Sequence, residues 1–173
     1  MLRESELIAI VNASPLIYLG KLGLLGILQQ LFDQVITVDS VKKEVLNPSA
    51  SEYAVLHNAF SDWLIVSEIP KSSLLAKLGD MGIHQGEADA ILLAYHTTEQ
   101  KSASVIVIDD LAARDVARTL GLKVTGTIGV ILRAKKNGLL TRNESRTKIR
   151  SLVEETSFRM STALYSRVVS DLE

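Results

Sequence analysis

The side chains best suited to chemistry in this chain are carboxylates and small polar groups at the ends of short apolar runs. Asn12 and Ser14 interrupt "IVNASPLI", where one apolar run gives way to the next. Glu44 lies in "SVKKEVL", one turn after Val41, and so borders an apolar helical stripe. Glu87 and Asp89 lie in "GEADAILLA". Ile91 and Ala94 share a helical face with Glu87, so an acid heads an otherwise apolar face, where an unpaired charge would be costly. Asp89, two positions on, faces elsewhere. Asp109 and Asp110 directly follow "SVIVI".

Each of these residues also has an ordinary structural explanation. Glu44 can be a solvated acid beside Lys42 and Lys43, and Glu87 can stabilise a helix N-terminus. Ser14 can cap a helix that begins at Pro15, and one of the two aspartates can cap the helix that follows them. Adjacent acids repel, however, unless a cation or a basic group lies between them, and Arg114 is one available partner. With no cysteine and no zinc-like spacing among His57, His84 and His96, clustered carboxylates point to a hard cation, Mg²⁺ or Mn²⁺, held by oxygens. Such an ion activates water and offsets charge on a phosphoryl group. His84, just ahead of Glu87, suits either proton transfer or a plain loop role. No P-loop, dinucleotide-binding fingerprint or serine-nucleophile motif is present.

The elements that carry these groups read as α/β. Short apolar runs at 7–11, 35–38, 63–66, 105–108 and 123–125 predict strands. Helical spacing predicts helices at 15–21, 24–32, 41–46, 52–60, 73–78, 86–97, 110–120 and 127–136, with two more near 143–155 and 161–172. Strands alternating with helices imply a mainly parallel sheet, whose ligands collect beyond the C-terminal strand ends. The candidate groups fall at those ends. The stretch 69–85, with Pro70, Gly79 and Gly82, is expected to be a mobile insertion.

The chain has 173 residues, which fits a single domain over 1–173; apolar residues make up 47% and charged residues 23%. Glu4 and Glu6 ahead of the first apolar run argue against a signal peptide and for a cytoplasmic protein. The net charge of −1 hides an asymmetry: residues 1–110 carry 7 Lys/Arg against 14 Asp/Glu, and residues 111–150 carry 10 against 2. An acidic portion beside a basic one suits a site that takes cations and a polyanion together.

Five blocks, "VNASPLIYLGKLGLLGIL", "VDSVKKEVL", "GEADAILLA", "VIDDLAARDVARTLGLKVTGTIGVILRAKKNGLL" and "SFRMSTALYSRVV", resemble in order those of a VapC-like subgroup of PIN domains. The resemblance covers most of the chain. It implies a three-layer α/β/α fold and an Mg²⁺- or Mn²⁺-dependent endoribonuclease, the toxin of a toxin–antitoxin pair. On this reading the family's first acid falls on Asn12, its hydroxyl on Ser14 and its second acid on Glu44. The third falls on Glu87, with Asp89 as the alternative, and the last on Asp110 with Asp109 beside it.

PIN domains generally have Asp where this chain has Asn12. The carboxamide keeps an oxygen able to ligate and removes one charge. Two readings follow: an active ribonuclease, or a weakened PIN-like module that binds RNA or a protein partner without cutting. In the first, Arg114, Arg118, Lys123, Arg133, Lys135 and Lys136 contact phosphates, a small antitoxin protein covers the cleft, and the chain forms a homodimer. A receiver-like phosphoryl-transfer domain fits poorly, because its acid pair follows the first strand.

Overall fold

The computed structural model describes residues 6–100 and 102–172. Five strands form where the apolar runs predict them: β1 (Leu7–Val11), β2 (Gln34–Val38), β3 (Leu64–Ser67), β4 (Ala103–Val107) and β5 (Val124–Thr125). All pairs are parallel, in the order β3-β2-β1-β4-β5. Strands covered on both faces need unbroken apolar sequence instead of alternation. Accordingly Ala9, Ile10, Val11, Ile106, Val107 and Ile108 are all buried.

Helices flank the sheet in a three-layer α/β/α arrangement. In chain order they are α1 (Ala13–Lys21), α2 (Ile27–Leu31), α3 (Asp39–Val45), α4 (Tyr53–Asp62), α5 (Ser73–Asp80), α6 (Gln85–Glu99), α7 (Leu111–Thr119), α8 (Thr127–Lys136), α9 (Arg142–Glu155) and α10 (Thr162–Ser170). Helix α6 packs against β1, β2 and β4, and every residue from Ala88 to Ala94 is buried. Its apolar face runs nearly all round, as a helix wedged between neighbours requires.

The topology dictates where a ligand would sit. From β1 the chain moves outward to β2 and β3, then crosses to the other side of β1 to lay down β4 and β5. The strand order therefore reverses between β1 and β4, and the crevice at such a switch point is the usual ligand position in parallel sheets. The β1–β4 register runs from Leu7↔Ala103 to Val11↔Val107. Asn12 and Ile108 thus leave the sheet side by side, and Asn12 N donates to Val107 O at 2.9 Å.

Four local expectations need correction. Helix α1 starts at Ala13 with Asn12 at its N-cap, so Ser14 lies inside the first turn and is not the cap. The segment 24–32 is not one helix: the chain turns through Gly23 (φ 68°) and only Ile27–Leu31 is helical. Helix α3 begins at Asp39 and takes that acid into its first turn. The stretch 69–85, expected as a mobile insertion, is tied to the core by the helix expected at 73–78, which forms as α5, packs on α6 and buries Leu78. Among the described residues, no helix is long and apolar enough to cross a membrane.

Candidate functional site

Asn12 occupies an N-cap position, where an Asn side chain normally accepts a hydrogen bond from the first helical turn. Here it makes no such bond. The residue is buried, and its Oδ1 has no hydrogen-bond partner. An unmet buried acceptor costs on the order of 1–3 kcal/mol. The fold therefore tolerates a loss at the mouth of the β1–β4 crevice and keeps the oxygen available.

Glu44 and Gly86 show what that oxygen faces. Helix α3 carries Glu44 on its last turn and packs against α6, whose N-terminus holds Gly86. A Cβ on Gly86 would stand 3.3 Å from Glu44 Oε2, 3.5 Å from Val41 Cγ2 and 4.0 Å from Asn12 Oδ1. Two oxygens thus border one small space that glycine leaves open.

Glu87 comes next on α6, and its Oε2 accepts a hydrogen bond from His84 N at 3.3 Å. Partial burial pushes its pKa up, and the nearby charges of Asp110 and Glu44 push it further, against the pull of the His84 bond and charge. Asp110 caps α7, its Oδ1 accepting from Ala113 N at 2.9 Å. Asn12, Glu44, Glu87 and Asp110 therefore gather at the switch point. Among the described residues, no group of three His, Cys, Asp or Glu side chains closes tightly enough to hold an ion as it stands. The donor set still fits a hard divalent cation: three carboxylates, one unpartnered carboxamide oxygen and a glycine-lined gap.

Asp109 does not join them. Its Oδ1 accepts from Thr127 N at 2.8 Å and its Oδ2 from Thr127 Oγ1 at 2.7 Å. Burial raises its pKa, opposed by those two bonds and by the Arg114 guanidinium. Arg114 Nη1 in turn donates to Ile108 O at 2.9 Å. A Cβ on Gly126 would lie 2.6 Å from Arg114 Nη1 and 2.7 Å from Asp109 Oδ1, so any larger residue there would push these two side chains out of place. Asp109, expected as a metal ligand, ties β4 to the start of α8, and Arg114, expected on phosphate, is bound into the same joint.

Asp89 is also set apart. It is buried at the α3–α6 contact, where its Oδ2 accepts from Ser40 Oγ at 2.5 Å and its Oδ1 has no partner. It lines a cleft of about 830 Å³ together with Asp39, Lys43, Glu68 and Gln85. Asp39 pairs there with Lys43 at 2.5 Å. Of the two candidates for the third acid, Glu87 is the one beside Glu44 and Asp110. Ser14 is half-buried in the first turn of α1, two residues past Asn12.

The basic residues divide as well. Ten residues of α8 span about 15 Å, so Lys135 and Lys136, in its last turn, lie that far from Thr127. Arg133 stacks over the Phe32 ring at 5.1 Å. Arg118 lines a groove of about 600 Å³ together with Asp109 and two arginines of the C-terminal tail, Arg159 and Arg167. Sequence reasoning missed those two, along with Gly86 and Thr127. Glycine before "EADA" and threonine opening "TIGV" were the available signals.

A parallel five-stranded α/β/α sheet is the architecture of PIN domains, which are generally nucleases that use divalent metals. The chain belongs to the PIN-domain family: residues 8–173 match the family model described as DUF3368: PIN domain. No curated protein matches it.

Proposed function

We propose that this chain is a Mg²⁺- or Mn²⁺-dependent endoribonuclease of the VapC-like kind, a single domain over 1–173 working in the cytoplasm as the toxin of a toxin–antitoxin pair. Asn12, Glu44, Glu87 and Asp110 hold the ion. The observation that carries this reading is the unpartnered, buried Oδ1 of Asn12, facing Glu44 Oε2 across Gly86. When bound, the ion activates water and offsets charge on the phosphoryl oxygens. The residues have separate tasks. Glu44 and Asp110 supply full negative charge from two helices, and Asn12 supplies a neutral oxygen from the end of β1. Glu87 adds a third carboxyl from the first turn of α6, its proton held more tightly than usual by burial and by Asp110.

Asp109 and Asp89 act as positioning residues, the first through Thr127 and the second through Ser40. Ser14 supports the turn that presents Asn12. A homodimer and a small antitoxin that covers the acidic crevice complete the proposal.

The deciding experiment incubates end-labelled RNA with the purified protein in Mg²⁺, Mn²⁺ or EDTA, beside a Glu44→Gln variant. Cleavage that needs the ion and vanishes in the variant is the expected result. Folded protein that cuts no better than the variant would overturn it. A second reading, a module that binds RNA or a protein partner without cutting, rests on the neutral carboxamide of Asn12. On that reading Asn12→Asp restores cleavage to an inert parent.

A further inference from the structure

The groove between α7, α8 and α10 begins at Asp109, next to the Asp110 corner of the site, and runs under the C-terminal tail. Arg114, Arg118, Arg159 and Arg167 line it, against Asp109 and Asp171. Arg114 and Asp109 are bound into one joint, and Arg118 pairs with Asp115 at 3.2 Å on the exposed face of α7. The charge the groove adds beyond these pairs is that of Arg159, whose Nη1 also donates to Thr156 O and Phe158 O, and Arg167, against Asp171. That balance favours an anion. The groove also carries apolar side chains between its arginines. Leu111, immediately after Asp110, is 76% exposed, and Leu164 is 46% exposed. Phe158 lines the groove as well, its ring held edge-on by Tyr18 at a centroid distance of 5.3 Å.

Arginines interleaved with apolar and aromatic faces are what single-stranded nucleic acid needs. The guanidinium groups hold phosphates while the bases lie against the apolar faces, with little dependence on sequence. A rigid duplex would not bury its stacked bases in this way. We infer that this groove is the track along which single-stranded RNA reaches Asp110, with Arg118, Arg159 and Arg167 on its phosphates and Leu111, Phe158 and Leu164 under its bases. The inference rests on the ribonuclease reading for its direction, and it moves the substrate contacts from the end of α8 to the C-terminal tail. Lys135 and Lys136, at the far end of α8, make no part of the track.

Fluorescence anisotropy of a labelled single-stranded oligoribonucleotide in EDTA, read across a salt series, tests this without any cutting. The set comprises the wild type, Arg159→Ala/Arg167→Ala, Arg159→Lys/Arg167→Lys and Lys135→Ala/Lys136→Ala, each checked for folding by circular dichroism. The double alanine variant is expected to bind about tenfold more weakly and to lose about 0.7 in the log–log salt slope for each arginine removed. The lysine pair should recover most of the slope, and Lys135→Ala/Lys136→Ala should match the wild type. RNA binding that is unchanged in the double alanine variant would overturn the track while leaving the ribonuclease reading intact. Preference for an acidic polyglutamate peptide over RNA would also overturn it, marking a protein-binding groove. Arginine-dependent RNA binding with no metal-dependent cutting would keep the track and refute the nuclease.

Discussion

Asp109 and Asp110 are neighbours in sequence and identical in chemistry, yet the fold uses them in opposite ways. Asp109 gives both oxygens to Thr127 and sits beside Arg114. Asp110 uses one oxygen to cap α7 and presents its charge to Glu87. The first is satisfied by the protein. The second adds to a cluster the protein leaves unneutralised. A buried carboxylate whose oxygens are both met belongs to the architecture, whereas acids gathered without counterions store repulsion that a bound cation relieves.

Substitutions can break this contrast. The largest effect is expected from Asp110→Asn, which keeps the helix cap and removes the charge. Metal-dependent cleavage should fall about a hundredfold or more while the melting temperature barely moves. Asp109→Ala should invert that pattern. It strands Thr127 N–H and Oγ1 and removes the negative charge beside Arg114, so urea unfolding should show a loss of about 3 kcal/mol, with activity per folded molecule much less affected.

The two glycines sharpen the comparison at smaller amplitude. Gly126→Ala forces a methyl group onto Arg114 Nη1 and Asp109 Oδ1, which should cost about 1–3 kcal/mol in stability. Gly86→Ala meets only Glu44 Oε2, Val41 and, more distantly, Asn12. It should leave stability nearly unchanged and weaken Mn²⁺ binding measured by calorimetry.

The smallest effect is in pH. Glu87 is raised from 4.5, chiefly by burial and then by Asp110. A carboxyl raised in the folded state contributes stability that is fully present below its unfolded value and is lost as pH rises through the folded value. Glu87→Gln should therefore flatten the fall in urea midpoint above pH 4.5. Mn²⁺ affinity runs the other way, rising over the same interval as the proton leaves.

The α/β class was legible because the five strands are short, apolar and β-branched, and the helices between them have clear spacing. The cluster was legible in type, since several acids from distant parts of the chain fall at the C-terminal edge of the sheet, more of them than helix capping alone requires. Its membership was not. Asp109 and Thr127 are 18 positions apart, and only the packing of α8 on β5 decides that they pair. Glu87 and Asp89 differ by two positions on one helix, and the placement of α3 chooses between them. The groove was least visible of all, because Arg159 and Arg167 lie in a tail whose fold position no local pattern discloses.

The register that sets Val11 against Val107 also governs timing. Asn12 leaves the ribosome early, but its corner of the crevice has no opposite wall until β4 and Asp110 have followed. Parallel pairing across so long a stretch of chain forms late. The crevice thus cannot assemble as the first third of the chain emerges, and its acidic corner closes only once the residues through Asp110 have been made and paired.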